Sequence, residues 1–147
     1  MAQEEKNLLL KDLCGRLPYV TYVRIVEADC LDKSESVTEG CVGGYSNTRM
    51  CQDYSMDEIF EFIESGDTVK PYLRPLSSMT EEEINEFILI SDTVLWLGDK
   101  RSACILSLEQ IDWLNARHFD HRHLIEKGLA LEAPEGMYDL MLKNNQL

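Results

Sequence analysis

The three histidines of the chain lie together in one short stretch and are the residues most able to do chemistry. They are His118, His121 and His123, in the sequence His-Phe-Asp-His-Arg-His, with Asp120 between them. Imidazole and carboxylate groups are common metal ligands, so these four side chains could hold zinc or a similar ion. The spacing matches neither H-x-x-x-H on a helix face nor H-x-H on a strand with a distant partner. We therefore keep a metal-binding protein or enzyme as an alternative and expect loop histidines without a cofactor.

Other patterns typical of catalysis are missing from the sequence. There is no G-x-S-x-G motif, and no serine or cysteine has a base at a recognisable local spacing. The glycine-rich stretch at 39–45 lacks both G-x-G-x-x-G and the Lys-Ser/Thr of a phosphate-binding loop. The sequence thus favours a protein that works by binding over an enzyme.

The N-terminus and the cysteines indicate the compartment. The first residues carry acids where a signal peptide needs cations, and no run approaches the ~20 apolar residues that span a bilayer. The five cysteines, at 14, 30, 41, 51 and 104, contain no C-x-x-C pair, which makes a structural zinc site improbable. We expect reduced thiols in a cytoplasmic protein without a membrane partner.

Acidic residues dominate the charge balance. The chain has 14 Lys and Arg against 27 Asp and Glu, a net charge of −13. Such a surface repels nucleic-acid phosphates and anionic membranes, so direct nucleic-acid binding is not expected. The segment Asp53–Asp92 alone has 11 acidic residues against two basic ones, and carries −9 of the total.

The acids of this segment fall on the polar sides of two predicted helices, between Ser55 and Ser91. Three interpretations stay open: a solvated surface, a docking face for a basic host or phage protein, or an imitation of DNA phosphates that inhibits a nucleic-acid-binding enzyme. Trp113 and Phe119 could be aromatic anchors beside such a face, or part of the core. The candidate partner-binding residues are Glu58, Glu61, Glu82, Glu86, Trp113 and Phe119.

The elements that would position these residues begin with a helix and a strand. Leucines at three- and four-residue spacing predict a helix over Glu4–Cys14, ended by Gly15 and Pro18. The β-branched and aromatic run Tyr19–Ala28 predicts a strand. Asp32–Ser55 is the least regular part, with a hairpin or loop at its paired glycines, Gly43 and Gly44.

Three capping boxes mark the starts of further helices, at Ser55–Glu58, Thr80–Glu83 and Ser107–Gln110. In the first of these helices Met56, Ile59, Phe60 and Ile63 are expected to form the buried stripe.

The remaining segments predict short strands and turns. Two prolines in Val69–Leu76 favour an extended path at an edge of the sheet. Thr93–Leu97 and Arg101–Leu106 are expected to be strands, and Leu129–Glu132 a last strand, after a short helical piece that ends at Gly128. The fold class is α+β: one small antiparallel sheet with four to five short amphipathic helices in a single domain, 1–147. The tail at 139–147 is expected to be loosely held.

Three segments together resemble a family of small uncharacterised proteins of gut commensal bacteria, often found in prophage-like or mobile regions. They are Lys11–Tyr19, Lys70–Glu83, and the stretch from Asp112-Trp-Leu-Asn through Leu129–Tyr138. The match covers about a third of the residues across nearly the whole chain. The family has tyrosine and glycine at the positions of His121 and His123, which weakens a metal role, and Glu27–Ser55 departs from it.

The resemblance implies an accessory role for a prophage or mobile element but no particular chemistry. Together with the charge pattern, it leads to the expectation of a non-catalytic protein that binds a basic partner.

Overall fold

The computed structural model of the protein describes residues 1–28, 31, 33–44, 52–90 and 106–139. Over these ranges the chain forms four α-helices and five strands, which confirms the α+β class. In chain order they are α1 (Gln3–Gly15), β1 (Thr21–Ala28), β2 (Glu35–Val42), β3 (Gln52–Tyr54), α2 (Met56–Glu64), β4 (Thr68–Leu73), α3 (Glu81–Ile90), α4 (Leu108–Ala116) and β5 (Leu131–Glu132).

The strands form one sheet in the order β3-β2-β1-β4-β5. β1 pairs antiparallel with β2 and with β4, whereas β2–β3 and β4–β5 are parallel pairs. The expected antiparallel sheet is therefore only partly right. Each parallel pair is short and adds an outer strand of two or three residues to the antiparallel centre.

Two strands differ from expectation for reasons of long-range pairing. β2 runs through the stretch that looks least regular in the sequence. Position 40 requires a glycine, because the Tyr54 ring packs where a Cβ on that residue would lie. β4 lies between β1 and β5 and not at an edge. Pro71 pairs with Val23 on the β1 side and directly precedes Tyr72, where the pairing to β5 begins.

The helix starts agree closely with the sequence. Ser55 Oγ accepts the Glu58 N–H at 3.2 Å. The boxes at Thr80 and Ser107 are reciprocal, with the Glu83 and Gln110 side chains accepting the cap N–H groups at 3.2 and 3.0 Å. These contacts form because they join residues three positions apart, whatever the rest of the fold does.

Two hydrophobic clusters position the rest of the chain. The sheet cluster packs α1 and α2 on one face of the sheet, through residues such as Leu9, Leu13, Val23, Ile59 and Val69. The α3–α4 cluster is separate and consists of Met79, Phe87, Leu114 and Phe119 with their partly buried neighbours.

The elements predicted for the later part of the chain are confirmed only in part. The piece before Gly128 is a series of turns, and not a helix. Leu131–Glu132 is a strand, as expected. Thr93–Leu97, nearly all of Arg101–Leu106, and the tail beyond residue 139 lie outside the described residues. No described helix has the length and apolar character needed to cross a membrane.

The cysteines are not all reduced. Cys41, in β2, is disulfide-bonded, whereas Cys14 is free and exposed. The expectation of reduced thiols is therefore wrong for Cys41. Because disulfides persist mainly in oxidising environments, this bond removes one argument for a cytoplasmic location, which stays a prediction.

Candidate functional site

A set of buried charges lies where α1 meets the segment after α4. Arg16 holds Asp12 with two hydrogen bonds of 2.8 and 3.1 Å, and both side chains are fully buried. Arg16 also donates to the Phe119 carbonyl at 2.7 Å, and Arg122 donates to Asp12 at 3.0 Å. We call Asp12, Arg16, Asn115, His118, His121 and Arg122 the polar centre. Its charges are paired across 110 residues of sequence, so it ties the first helix to the end of the chain.

His118 lies at the polar centre in an unusual conformation. Its backbone is left-handed, with φ of 64°, and its ring stacks on the Tyr138 ring with centroids 3.7 Å apart. Its carbonyl accepts the Arg74 N–H at 2.7 Å. Burial, with the nearby positive charges of Arg16 and Arg74, lowers the pKa of His118 to about 3. The imidazole is thus neutral at ordinary pH and acts as a packed ring.

Tyr138 continues this contact into the sheet. Its hydroxyl accepts the Tyr22 N–H at 3.0 Å and donates to the Tyr72 carbonyl at 2.7 Å. The hydroxyl thus bridges β1 and β4 just beyond Val23 and Pro71, the last pair of their ladder. Burial raises the pKa of Tyr138, so the group stays a protonated donor.

The other members of the histidine cluster also have structural partners. His121 Nε2 is 2.8 Å from Asn115 Oδ1, and burial with the charges of Arg16 and Arg122 lowers its pKa to about 4. The Asp120 carboxylate accepts the N–H groups of Leu124 and Ile125 at 2.8 and 3.0 Å, which fixes the turn that follows.

His123 is exposed, and its backbone φ is 59°. Among the described residues, no three His, Cys, Asp or Glu side chains are grouped so that they could hold a metal ion. Packing and hydrogen bonds account for His118, Asp120 and His121, whereas His123 faces solvent.

The aromatic residues expected as anchors belong to the α3–α4 cluster. Phe119 is 0% exposed, so it cannot contact a partner, and we remove it from the candidate surface. Trp113 is half-buried between Phe87 and Phe119, and its indole N–H donates to Glu86 at 3.3 Å. Trp113 is therefore mainly a packing residue.

The acids of α3 are partly used within the protein. Glu86 accepts from Arg117 at 2.7 Å as well as from Trp113. Glu83 pairs with Arg74 at 2.8 Å. Although burial acts to raise the pKa of Glu83, hydrogen bonds from Arg74 and Thr80 hold it below its usual value. Glu82 is exposed at the first turn of α3.

The acids of α2 are more available. Asp57, Glu58 and Glu61 are exposed, and Glu64 is at the end of the helix, 3.9 Å from Lys6. α2 packs on α1 and β4, whereas α3 packs on α4. The two acidic rows thus belong to different layers of the molecule, which does not favour one continuous array of the kind that imitates DNA phosphates.

Phe60 does not have the buried position that the helix periodicity predicts for it. It was expected in the buried stripe of α2, but 48% of it is exposed, and Phe62 packs against Tyr54 in its place. On a helix Phe60 and Phe62 lie on opposite sides of Ile59, so either could complete the stripe. Tyr54, which comes from β3, decides between them.

Phe60 lies in one row with Asp57, Glu61 and Glu64, at three- and four-residue spacing. We call these four residues and Glu58 the docking face. A large exposed aromatic ring among carboxylates combines an apolar anchor with charge, as protein interfaces do.

Comparisons with known proteins found no family model that matches the chain, and no curated protein or solved structure with significant similarity to it.

Proposed function

We propose that the protein acts by binding, as a non-catalytic accessory factor of a prophage or mobile element, and that the docking face of α2 binds a basic partner protein. The single observation that carries the proposal is Phe60, an exposed ring set among exposed carboxylates. A ring of this size in contact with water costs solvation free energy, and covering it with a partner recovers that energy.

The surroundings of α2 extend its negative potential. Burial raises the pKa of Tyr54, and the charges of Glu27 and Glu58 raise it further. Glu27 on β1 therefore lies within electrostatic reach of the same hydroxyl as Glu58. A partner that approaches α2 meets acids from both the helix and the sheet, which favours lysine and arginine on its surface.

A pair of matched variants tests this proposal. Glu58→Gln with Glu61→Gln removes two charges from α2, and Glu81→Gln with Glu82→Gln removes two exposed charges from α3. In a pull-down from host or phage-infected lysate, we expect a basic partner that the parent protein captures and the α3 variant retains, but that the α2 variant loses.

Salt provides an independent check on the same complex. Contacts between exposed charges are screened at high ionic strength, so the captured partner should elute as salt rises. Loss of the partner from both charge variants, or from neither, would contradict docking through α2.

A further inference from the structure

The second face of the sheet carries two cations that have no carboxylate partner within the described part of the chain. Val23 and Ile25 point into the sheet cluster, so Arg24 between them points to the opposite face. Arg24 is directly opposite Lys70 on β4 and Glu39 on β2. Both cations are half-buried.

These cations differ from the other arginines of the described chain. Arg16, Arg74, Arg117 and Arg122 each form an ion pair with a carboxylate. Within the described residues, the Arg24 and Lys70 side chains form no such pair, and the buried Arg24 Nε has no hydrogen-bond partner. Like charges directly opposite each other on a sheet destabilise it, so this arrangement has a cost in the free protein.

The Glu39 carboxylate, which neighbours the two cations, is hydrogen-bonded to Tyr72. Tyr72 donates its hydroxyl to Glu39 Oε1 at 2.7 Å. Burial and the Glu39 carboxylate raise the pKa of Tyr72, and the Arg24 charge opposes them, which indicates that Arg24 lies within electrostatic reach of this pair. A monocarboxylate is thus already present at this face without pairing with either cation. Two adjacent cations are better matched by an anion with about two negative charges than by a single carboxylate.

We propose that Arg24 and Lys70 form a binding site for the phosphate group of a small phosphomonoester. At neutral pH such a group carries about −1.5 to −2 charges and three acceptor oxygens, which match a guanidinium and an ammonium side by side. The whole protein, at −13, repels a polyanion. A small ligand with one phosphate meets less of that repulsion than a polyanion does, because charges more than about 8–10 Å away are largely screened at physiological ionic strength.

The test follows backbone amide shifts by NMR while inorganic phosphate, phenyl phosphate or acetate is added to the full-length protein. We expect saturable shifts around Arg24 and Lys70 with both phosphates, and much weaker ones with acetate. Lys70→Met should reduce the affinity about tenfold, and Lys127→Met, which removes the same charge from an exposed turn, should leave it unchanged. Glu39→Gln should increase the affinity, since it removes a nearby negative charge that repels the phosphate.

Three outcomes would overturn the proposal: no saturable shifts with either phosphate, equal affinity in the Lys70→Met and parent proteins, or tighter binding of a single-stranded oligonucleotide than of phenyl phosphate. A second measurement needs no ligand. Lys70→Met should raise the midpoint of thermal unfolding of the free protein, because it relieves the repulsion with Arg24, and a lowered midpoint would contradict the assigned charge pair.

Discussion

The polar centre and the docking face use charge in opposite ways. At the polar centre, Asp12 and Arg16 are fully buried and joined by two hydrogen bonds. On the docking face, the carboxylates of Asp57, Glu58 and Glu61 are exposed. A buried pair fixes one arrangement of the chain, because either charge alone is poorly tolerated in the interior. Exposed carboxylates fix nothing within the protein and are free to meet a partner.

The segments Lys11–Tyr19, Lys70–Glu83 and Asp112–Tyr138 meet in and around the polar centre. The first supplies Asp12 and Arg16, the second supplies Arg74, and the last supplies His118 and Tyr138. The contacts of these residues hold the fold together. The proposed binding surfaces lie on other residues.

The largest effect is expected from Asp12→Asn. This substitution leaves Arg16 and Arg122 without their shared carboxylate, which should reduce the free energy of unfolding by about 3–5 kcal/mol. Urea denaturation measures the change. The comparison variant is Glu86→Gln, which breaks the more exposed pair with Arg117 and should cost less than about 1 kcal/mol. Equal losses of unfolding free energy in the two variants would show that a buried ion pair is worth no more here than an exposed one.

Acid should destabilise the protein through the two histidines of the polar centre. The pKa values of His118 and His121 are lowered to about 3 and about 4 in the folded protein, from 6.5. Between these values and 6.5 the unfolded chain binds more protons, so stability is full above 6.5 and falls as the pH decreases. From about pH 7 to about pH 5.5 the two groups together should remove about 2.5 kcal/mol.

Urea denaturation at a series of pH values measures this slope. The control is His121→Gln, in which the amide can still donate to Asn115 but does not titrate, and its slope should be smaller than that of the parent. An identical slope would mean that His121 does not contribute to it.

A smaller loss is expected from Tyr138→Phe. The ring and its stacking on His118 stay, but the hydroxyl that bridges Tyr22 and Tyr72 is removed. The buried Tyr72 carbonyl and the partly buried Tyr22 N–H then lose a partner, at a cost of about 1–3 kcal/mol. Hydrogen exchange should show faster exchange of the Tyr22 amide, with little change at Val69 on the far side of the ladder. Unchanged protection of the Tyr22 amide would exclude the bridge.

The sequence predicts what depends on near neighbours and misses what depends on distant ones. Ser55, Thr80 and Ser107 were recognised as helix caps because each cap joins residues three apart. The role of Arg122 could not be recognised, because its partner Asp12 is 110 residues away. The strand β2 and the inner position of β4 depend on distant residues for the same reason. Gly40 and Pro71 locally disfavour a paired strand, and pairing with β1 overrides that preference.

In the candidate site, too, the sequence predicts what depends on near neighbours and not what depends on distant ones. The acids of α2 were predicted to be exposed, and they are, because the helix periodicity alone places them opposite Ile59 and Ile63. Phe60 and Phe62 could not be distinguished, since both border the buried stripe and only Tyr54 decides which one packs. Phe119 was open to two interpretations, and only its contacts with the α3–α4 cluster show that it is core.

The most direct test of the account compares Phe60→Ala with Ile59→Ala, two adjacent residues of one helix. Ile59 is 0% exposed, so its truncation should lower the free energy of unfolding by about 2–5 kcal/mol. Phe60→Ala should change stability by less than about 0.5 kcal/mol and weaken partner capture by about 2 kcal/mol or more. Both properties are measured on the same preparations, by urea denaturation and by titration with the captured partner. If Phe60→Ala binds the partner as tightly as the parent does, the docking face is not the binding site, and its exposed charges are only solvated.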